Sequence, residues 1–316
     1  MLGVLLPKYQ VLQFFSIEIH IIKTVATVDI YDFNANTWST SALTIARYWL
    51  AATSVNNLAI FAGGNTAGPT ASNFVDTYDV VTKVWGSTQL SQARSNLAAT
   101  SIADLAIFAG GQITNYLNPS DRIDIYNATS GSWSSAILSL PRSSLAAAST
   151  SRYAIFAGGL DGIYSDTKAY TSAVDIFDIT TKTWSTSSLS VGRYGLTGVT
   201  IGNIVAFAGG YRLGVQNQVD IYDSGAKTWT TALLSEGRYT LFGAALGNEM
   251  IFAGGLGAIN VTDKVDIYSV TTKTWTTSVL SEAREGFGAA SVGKLLFYVW
   301  LIVRKYYTFW WWISTH

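Results

Sequence analysis

The sequence predicts an all-β protein made of copies of one four-stranded unit, and three regularities carry that prediction. Six tryptophans, Trp38, Trp85, Trp133, Trp184, Trp229 and Trp275, recur at steps of 47, 48, 51, 45 and 46 residues. Each has an Asp nine residues before it (Asp29, Asp76, Asp124, Asp175, Asp220, Asp266) and an Arg nine residues after it (Arg47, Arg94, Arg142, Arg193, Arg238, Arg284). Sixteen residues past the first five Arg stand glycine pairs beginning at Gly63, Gly110, Gly158, Gly209 and Gly254. A period of this length is too long for helical or leucine-rich repeats and fits four short strands.

The elements of one unit follow in order. Arg193 precedes Tyr-Gly-Leu-Thr-Gly-Val-Thr-Ile, small and β-branched residues suited to a crowded inner strand. Gly202-Asn203, and Gly247-Asn248 in the next unit, read as two-residue hairpin turns. Residues 204–208 form a continuous apolar run, as expected of a strand buried on both faces. The glycine pair ends that strand where a neighbouring backbone or aromatic ring approaches too closely for a Cβ. Val219 to Asp223 alternates with period two, a polar turn follows, and Trp229 sits on a last, edge-like strand. Helical periodicity is absent from these units.

This order, an apolar strand with Gly-Gly, then Tyr-Asp, then Trp, then Arg opening the next unit, resembles the kelch repeat family. The resemblance covers residues 28–298 and implies a six-bladed kelch-type β-propeller of four-stranded antiparallel blades. The units lack the Gly-His and Trp-Asp signatures of WD repeats and the residue order of sialidase Asp boxes. Residues 28–40 match two outer strands and residues 284–298 two inner strands. The last blade is therefore expected to be closed by N- and C-terminal strands, which removes exposed sheet edges.

The expected organisation is an unassigned segment at 1–26, a propeller at 27–298 and an aromatic, apolar tail at 299–316. Trp300 and Leu301 occupy the place of a sixth glycine pair. The apolar stretch before Arg304-Lys305 is nine residues, short of the ~20 needed to span a bilayer, so a mis-spliced or frame-shifted end is favoured over an anchor. Residues 1–26 lack the charged start and clean apolar core of a signal peptide, and a cytoplasmic location is favoured.

Composition narrows the chemistry. The 316 residues carry 20 basic and 20 acidic groups, leaving no net charge and no basic stripe for nucleic acid. The absence of cysteine excludes disulfides and thiolate sites, and with them the Cys–Tyr crosslink that the galactose-oxidase type of kelch propeller requires. His20 and His316, the only histidines, lie outside the repeats, so no imidazole base or histidine metal cluster is expected there. No cofactor and no metal are expected. Asn127-Ala-Thr and Asn260-Val-Thr match the glycosylation sequon, a weak signal in a chain rich in Ser and Thr.

Two features could carry function. The resemblance implies that Arg47, Arg94, Arg142, Arg193, Arg238 and Arg284 ring one mouth of the channel and contact carboxylates, as in kelch domains that capture acidic peptides; the planar guanidinium suits that chemistry. The opposite reading, which the sequence favours, pairs the six Arg with the six Asp as framework. The second feature is the one interval that varies, from the second glycine to the Asp, which runs 12, 13, 16, 10 and 11 residues. These loops carry Tyr116, then Asp161, Tyr164, Asp166 and Tyr170, then Tyr211 and Arg212, and aromatic and Arg residues on a rigid scaffold make recognition hot spots. The expected function is a non-catalytic module that binds a protein or peptide, acidic if the Arg ring takes part, with no nucleic-acid or membrane partner. The alternative is a carbohydrate-processing enzyme, epimerase- or lyase-like, using Glu236, Glu282 or Glu285 beside Arg. A neighbouring Arg lowers a carboxylate pKa and weakens it as a base.

Overall fold

The structure is a computed structural model and describes residues 26–32, 37–67, 70–113, 118–162, 169–285, 288–292 and 295–299. The terminal stretches 1–25 and 300–316, and what the sequence suggests of them, lie outside the described residues. All regular elements among the described residues are strands.

Five four-stranded antiparallel sheets follow one another, each in simple sequence order. The first contains β3 (Ala51–Val55), β4 (Leu58–Ala62), β5 (Phe74–Asp79) and β6 (Val84–Gln89), and it is preceded by the hairpin β1 (Thr27–Asp32) and β2 (Thr37–Ala42). The second contains β7 (Ala98–Ile102), β8 (Leu105–Ala109), β9 (Arg122–Asn127) and β10 (Ser132–Ile137). The third contains β11 (Ala146–Ser149), β12 (Tyr153–Ala157), β13 (Ala173–Asp178) and β14 (Thr183–Ser188). The fourth contains β15 (Thr197–Ile201), β16 (Ile204–Ala208), β17 (Gln218–Asp223) and β18 (Thr228–Leu233). The fifth contains β19 (Phe242–Leu246), β20 (Glu249–Ala253), β21 (Lys264–Ser269) and β22 (Thr274–Val279), followed by the hairpin β23 (Gly288–Val292) and β24 (Leu295–Val299). This is a propeller-like repeat fold.

Burial follows the order of strands. The first strands of successive sheets, β3, β7, β11, β15, β19 and β23, pack against one another in turn. The second strands are apolar on both faces, and every residue of β8 and β12 is buried. The fourth strands keep Ser and Thr exposed and turn only the Trp and one further residue inward. The core lies between neighbouring sheets. Phe156 and Phe177 of the third sheet, for example, pack among Ile107, Ile123 and Ile125 of the second.

The Trp of each four-stranded sheet closes an aromatic triad, Trp85 with Phe61 and Tyr78 in the first. Trp229 lies 4.8 Å from its cross-strand partner Tyr222 and 6.4 Å from Phe207, centroid to centroid. Trp133, Trp184 and Trp275 make the same triads, and the indole N–H groups of Trp133 and Trp229 donate to Thr88 and Ser187 of the preceding sheet. These rings therefore tie each sheet to its predecessor.

The glycine pair ends the second strand for the reason expected. A Cβ on Gly63, Gly110, Gly158 or Gly209 would stand 2.5 Å from the carbonyl oxygen of the next sheet's Arg. The second glycine of each pair donates its N–H to that same carbonyl, at 2.9 Å in all five copies. The pair is thus the seam between sheets.

No β-ladder joins the two terminal hairpins among the described residues, where β1–β2 and β23–β24 are separate two-stranded sheets.

The two-residue turns bear out the hairpin reading, with positive φ at Asn56, Ala103, Gly202 and Gly247. Ala103 holds φ 50°, a left-handed value that costs a residue with a Cβ about 1–2 kcal/mol. Ala103→Gly removes that strain and returns about 0.4–1 kcal/mol through a more flexible unfolded chain. A net stabilisation of about 0.5–1 kcal/mol is expected in urea denaturation, and a loss of stability would refute the strain.

Candidate functional site

The five Arg at residues 47, 94, 142, 193 and 238 have side chains fully removed from solvent, each paired with the Asp on the third strand of its own sheet. Arg142–Asp175 and Arg193–Asp220 meet at 2.6 and 2.7 Å, and Arg47–Asp76, Arg94–Asp124 and Arg238–Asp266 are as close or closer. The guanidiniums also donate to main-chain carbonyls, Arg193 to Gly209, Val191 and Phe207 and Arg238 to Lys264 and Phe252. Burial pulls all five guanidinium pKa values below the ordinary one, and the paired Asp opposes that pull. These five Arg are framework and present no guanidinium to a ligand.

Each Asp has a second duty that the sequence reading missed. Its Oδ1 accepts the backbone N–H of Thr44, Ser91, Ser139, Ser190 or Ser235, three residues before the Arg. One carboxylate thereby fixes both the strand-to-strand crossover and the Arg it delivers. The readable signal was a Ser or Thr at that place in every unit, including Ser281 before Arg284.

The residue two places after each Arg adopts a left-handed conformation, with φ 55° at Trp49, 52° at Asn96, 53° at Ser144, 63° at Gly195 and 51° at Thr240. Their peptides join head to tail. Asn96 donates to Trp49, Ser144 to Asn96, Gly195 to Ser144 and Thr240 to Gly195, at 2.9–3.1 Å. This chain forms a collar that links the inner strands.

Beside the collar lies the surface with chemistry to offer. The residue after each Arg bridges the residue after each glycine pair, which in turn bridges a residue of the variable loop. The five triads are Tyr48/Asn65/Ala71, Ser95/Gln112/Pro119, Ser143/Leu160/Tyr170, Tyr194/Tyr211/Val215 and Tyr239/Leu256/Val261. The variable loops and the Arg-bearing segments therefore do share a face. The middle residue is polar in the first two triads, Asn65 and Gln112, and apolar or aromatic in the last three, Leu160, Tyr211 and Leu256. Tyr170 stacks on Tyr194 at 6.0 Å with an 11° interplanar angle, Tyr194 and Tyr211 lie 5.7 Å apart, and Tyr239 meets Tyr211 edge-on at 5.3 Å. All four rings are half-buried.

Of the residues singled out by sequence, Tyr170 and Tyr211 fall in this cluster, while Asp161 and Arg212 are exposed on adjoining loops. Tyr116, Tyr164 and Asp166 lie outside the described residues. Tyr194 and Tyr239 were missed because they occupy the fixed-length part of the unit, where attention to the variable loops does not reach. Arg284 is set apart from the other Arg, its guanidinium 16% exposed and 3.9 Å from Glu282.

One of the acidic candidates lines a groove. A groove of about 390 Å³ is lined by Ser235, Glu236, Lys264, Thr277, Ser278 and Val279, and of those candidates it includes Glu236 alone. Glu236 accepts a hydrogen bond from the Thr262 hydroxyl, and Glu282 is 69% exposed. Among the described residues, no three His, Cys, Asp or Glu side chains gather as metal ligands would.

No protein-family model matches the chain, and no curated protein matches it.

The exposed pair Arg152–Asp178, 2.8 Å apart, gives a contrast within one molecule. Such surface pairs contribute about 0–1 kcal/mol, whereas leaving a buried partner unpaired costs about 3–5 kcal/mol. Arg94→Met, which strands the Asp124 carboxylate, is expected to lower unfolding free energy by about 3–5 kcal/mol, against under about 1 kcal/mol for Arg152→Met. Equal losses in chemical denaturation would contradict a framework role for Arg94.

Proposed function

We propose that this chain is a kelch-type six-bladed β-propeller acting as a non-catalytic module that docks a protein or peptide on its collar face. One observation carries the reading: successive sheets bring Tyr170, Tyr194, Tyr211 and Tyr239 into one half-buried cluster. Tyr supplies rigid amphipathic contact area at low entropic cost, which is why it dominates recognition surfaces. Because five Arg are buried in pairs, their guanidiniums give no ground for an acidic preference in the partner. The enzyme alternative calls for converging carboxylates, and Glu236 alone lines the groove.

A pull-down with the wild type and with Tyr211→Ala/Tyr239→Ala tests the reading. Partners are expected to be lost on substitution while the melting temperature of the variant stays within a few degrees. Retention of the same partners would sink it.

In this proposal β1 and β2 supply the outer half of the sixth blade and β23 and β24 the inner half, with Asp29 receiving Arg284. Supporting this, β1 and β2 pair Tyr31 opposite Trp38 in the register of Tyr78 and Trp85, and β23 packs against β19 as the first strands of the full sheets pack in turn. A double-mutant cycle between Asp29→Ala and Arg284→Ala is expected to give a coupling of about 1–3 kcal/mol. Additive effects would leave the ring open.

A further inference from the structure

Resting on the six-bladed reading above, we infer that the hairpin β1–β2 is a strap that closes over an open face of the first sheet, with Ser41 taking the Trp85 indole N–H. The seams between the full sheets show what such a face requires. Phe108, Phe156, Phe207 and Phe252, on the second strands of the second to fifth sheets, are wholly buried in clusters shared with the sheet before them. The residue that opens the turn before the fourth strand packs against the same clusters at Ala128, Ile179 and Val270. In the first sheet these two positions are Phe61, which is only half-buried, and Val80, which is 55% exposed.

The strap carries the matching residues. On third strands, Ile123 and Ile125, Val174 and Ile176, and Val219 and Ile221 lie in the clusters that receive the Phe of the next sheet. Val28 and Ile30 of β1 stand in the same register, ten and eight residues before Trp38, and are half-buried. The hydroxyls follow an equally simple rule. Trp133 and Trp229 donate to Thr88 and Ser187, each three residues after the Trp of the preceding sheet. Ala136 and Ala232 fill that place ahead of Trp184 and Trp275, and Ser41 fills it ahead of Trp85.

The base of the strap is seated. Leu43 is buried and its N–H donates to Ala26 at 2.8 Å, as Leu90 donates to Asn73 and Leu189 to Ser172 at the seams that follow. Asp76 holds Thr44 by both its backbone N–H and its hydroxyl. Beyond that anchor β2 is exposed from Thr37 to Thr40, whereas the fourth strands of the full sheets turn their Trp inward. A two-stranded hairpin is marginal alone in water, and an apolar face left open beside it supplies the burial that draws it shut.

The test is indole N–H exchange in the full chain labelled with nitrogen-15 tryptophan and read by NMR, the Trp85 signal being assigned with Trp85→Phe. Ser41→Ala is expected to shift that signal and to speed its exchange about fivefold or more, the loss of one hydrogen bond. Thr88→Ala, which removes the hydroxyl that Trp133 is seen to use, is the positive control and is expected to do the same to the Trp133 signal. A Trp85 signal unmoved by Ser41→Ala, while Trp133 responds to Thr88→Ala, overturns the inference. If Asp29 and Arg284 still couple in that case, the six-bladed reading stands without the strap contact. If their effects are additive, it falls as well.

Discussion

The buried Arg–Asp pair is the constraint on which the other contacts of each repeat depend. Removing two charges from water costs several kcal/mol per ion, and only close geometry with further hydrogen bonds recovers it. Each carboxylate takes the guanidinium on one oxygen and the crossover N–H on the other, and each guanidinium also donates to main-chain carbonyls. The pair consequently fixes where the crossover lands, which strand end it meets, and where the next residue points. That next residue is the one that bridges the residue after the glycine pair. Tyr194 and Tyr239 are held in place by the Arg immediately before them.

Adjacent positions in the unit thus differ sharply in exposure. Arg193 is sealed and its pKa lowered by burial, while Tyr194, one peptide bond away, is half-exposed and stacked on a loop residue. The Arg, the Asp and the glycine pair are identical in five copies, and the residue after the Arg varies between Ser and Tyr. Variation is affordable only where no buried partner would be stranded.

The fold was largely legible in the sequence because its constraints are local and repeated. The period, the glycine seam, the Trp triads and the doubly buried second strands all reflect contacts made at fixed separations. The site was half legible. Tyr170 and Tyr211 stand on loops whose lengths vary and so attracted notice. Tyr194 and Tyr239 do not, because a Tyr after an Arg has no meaning until the bridging of two segments sets it beside another Tyr. The Arg of each unit admitted two readings, a ring open to ligand or a pairing with the Asp; the matched spacing of Arg and Asp favoured the pairing, and five of the six side chains are buried in it.

The seam has a consequence for how the molecule comes into being. The glycine pair of each sheet donates to the Arg carbonyl of the sheet that follows it in the chain. Each sheet is thus completed from its C-terminal side, by residues synthesised after it. A nascent chain emerging from the ribosome carries, at every moment, one sheet whose seam still lacks its acceptor. Order spreads along the polypeptide one repeat behind the point of synthesis.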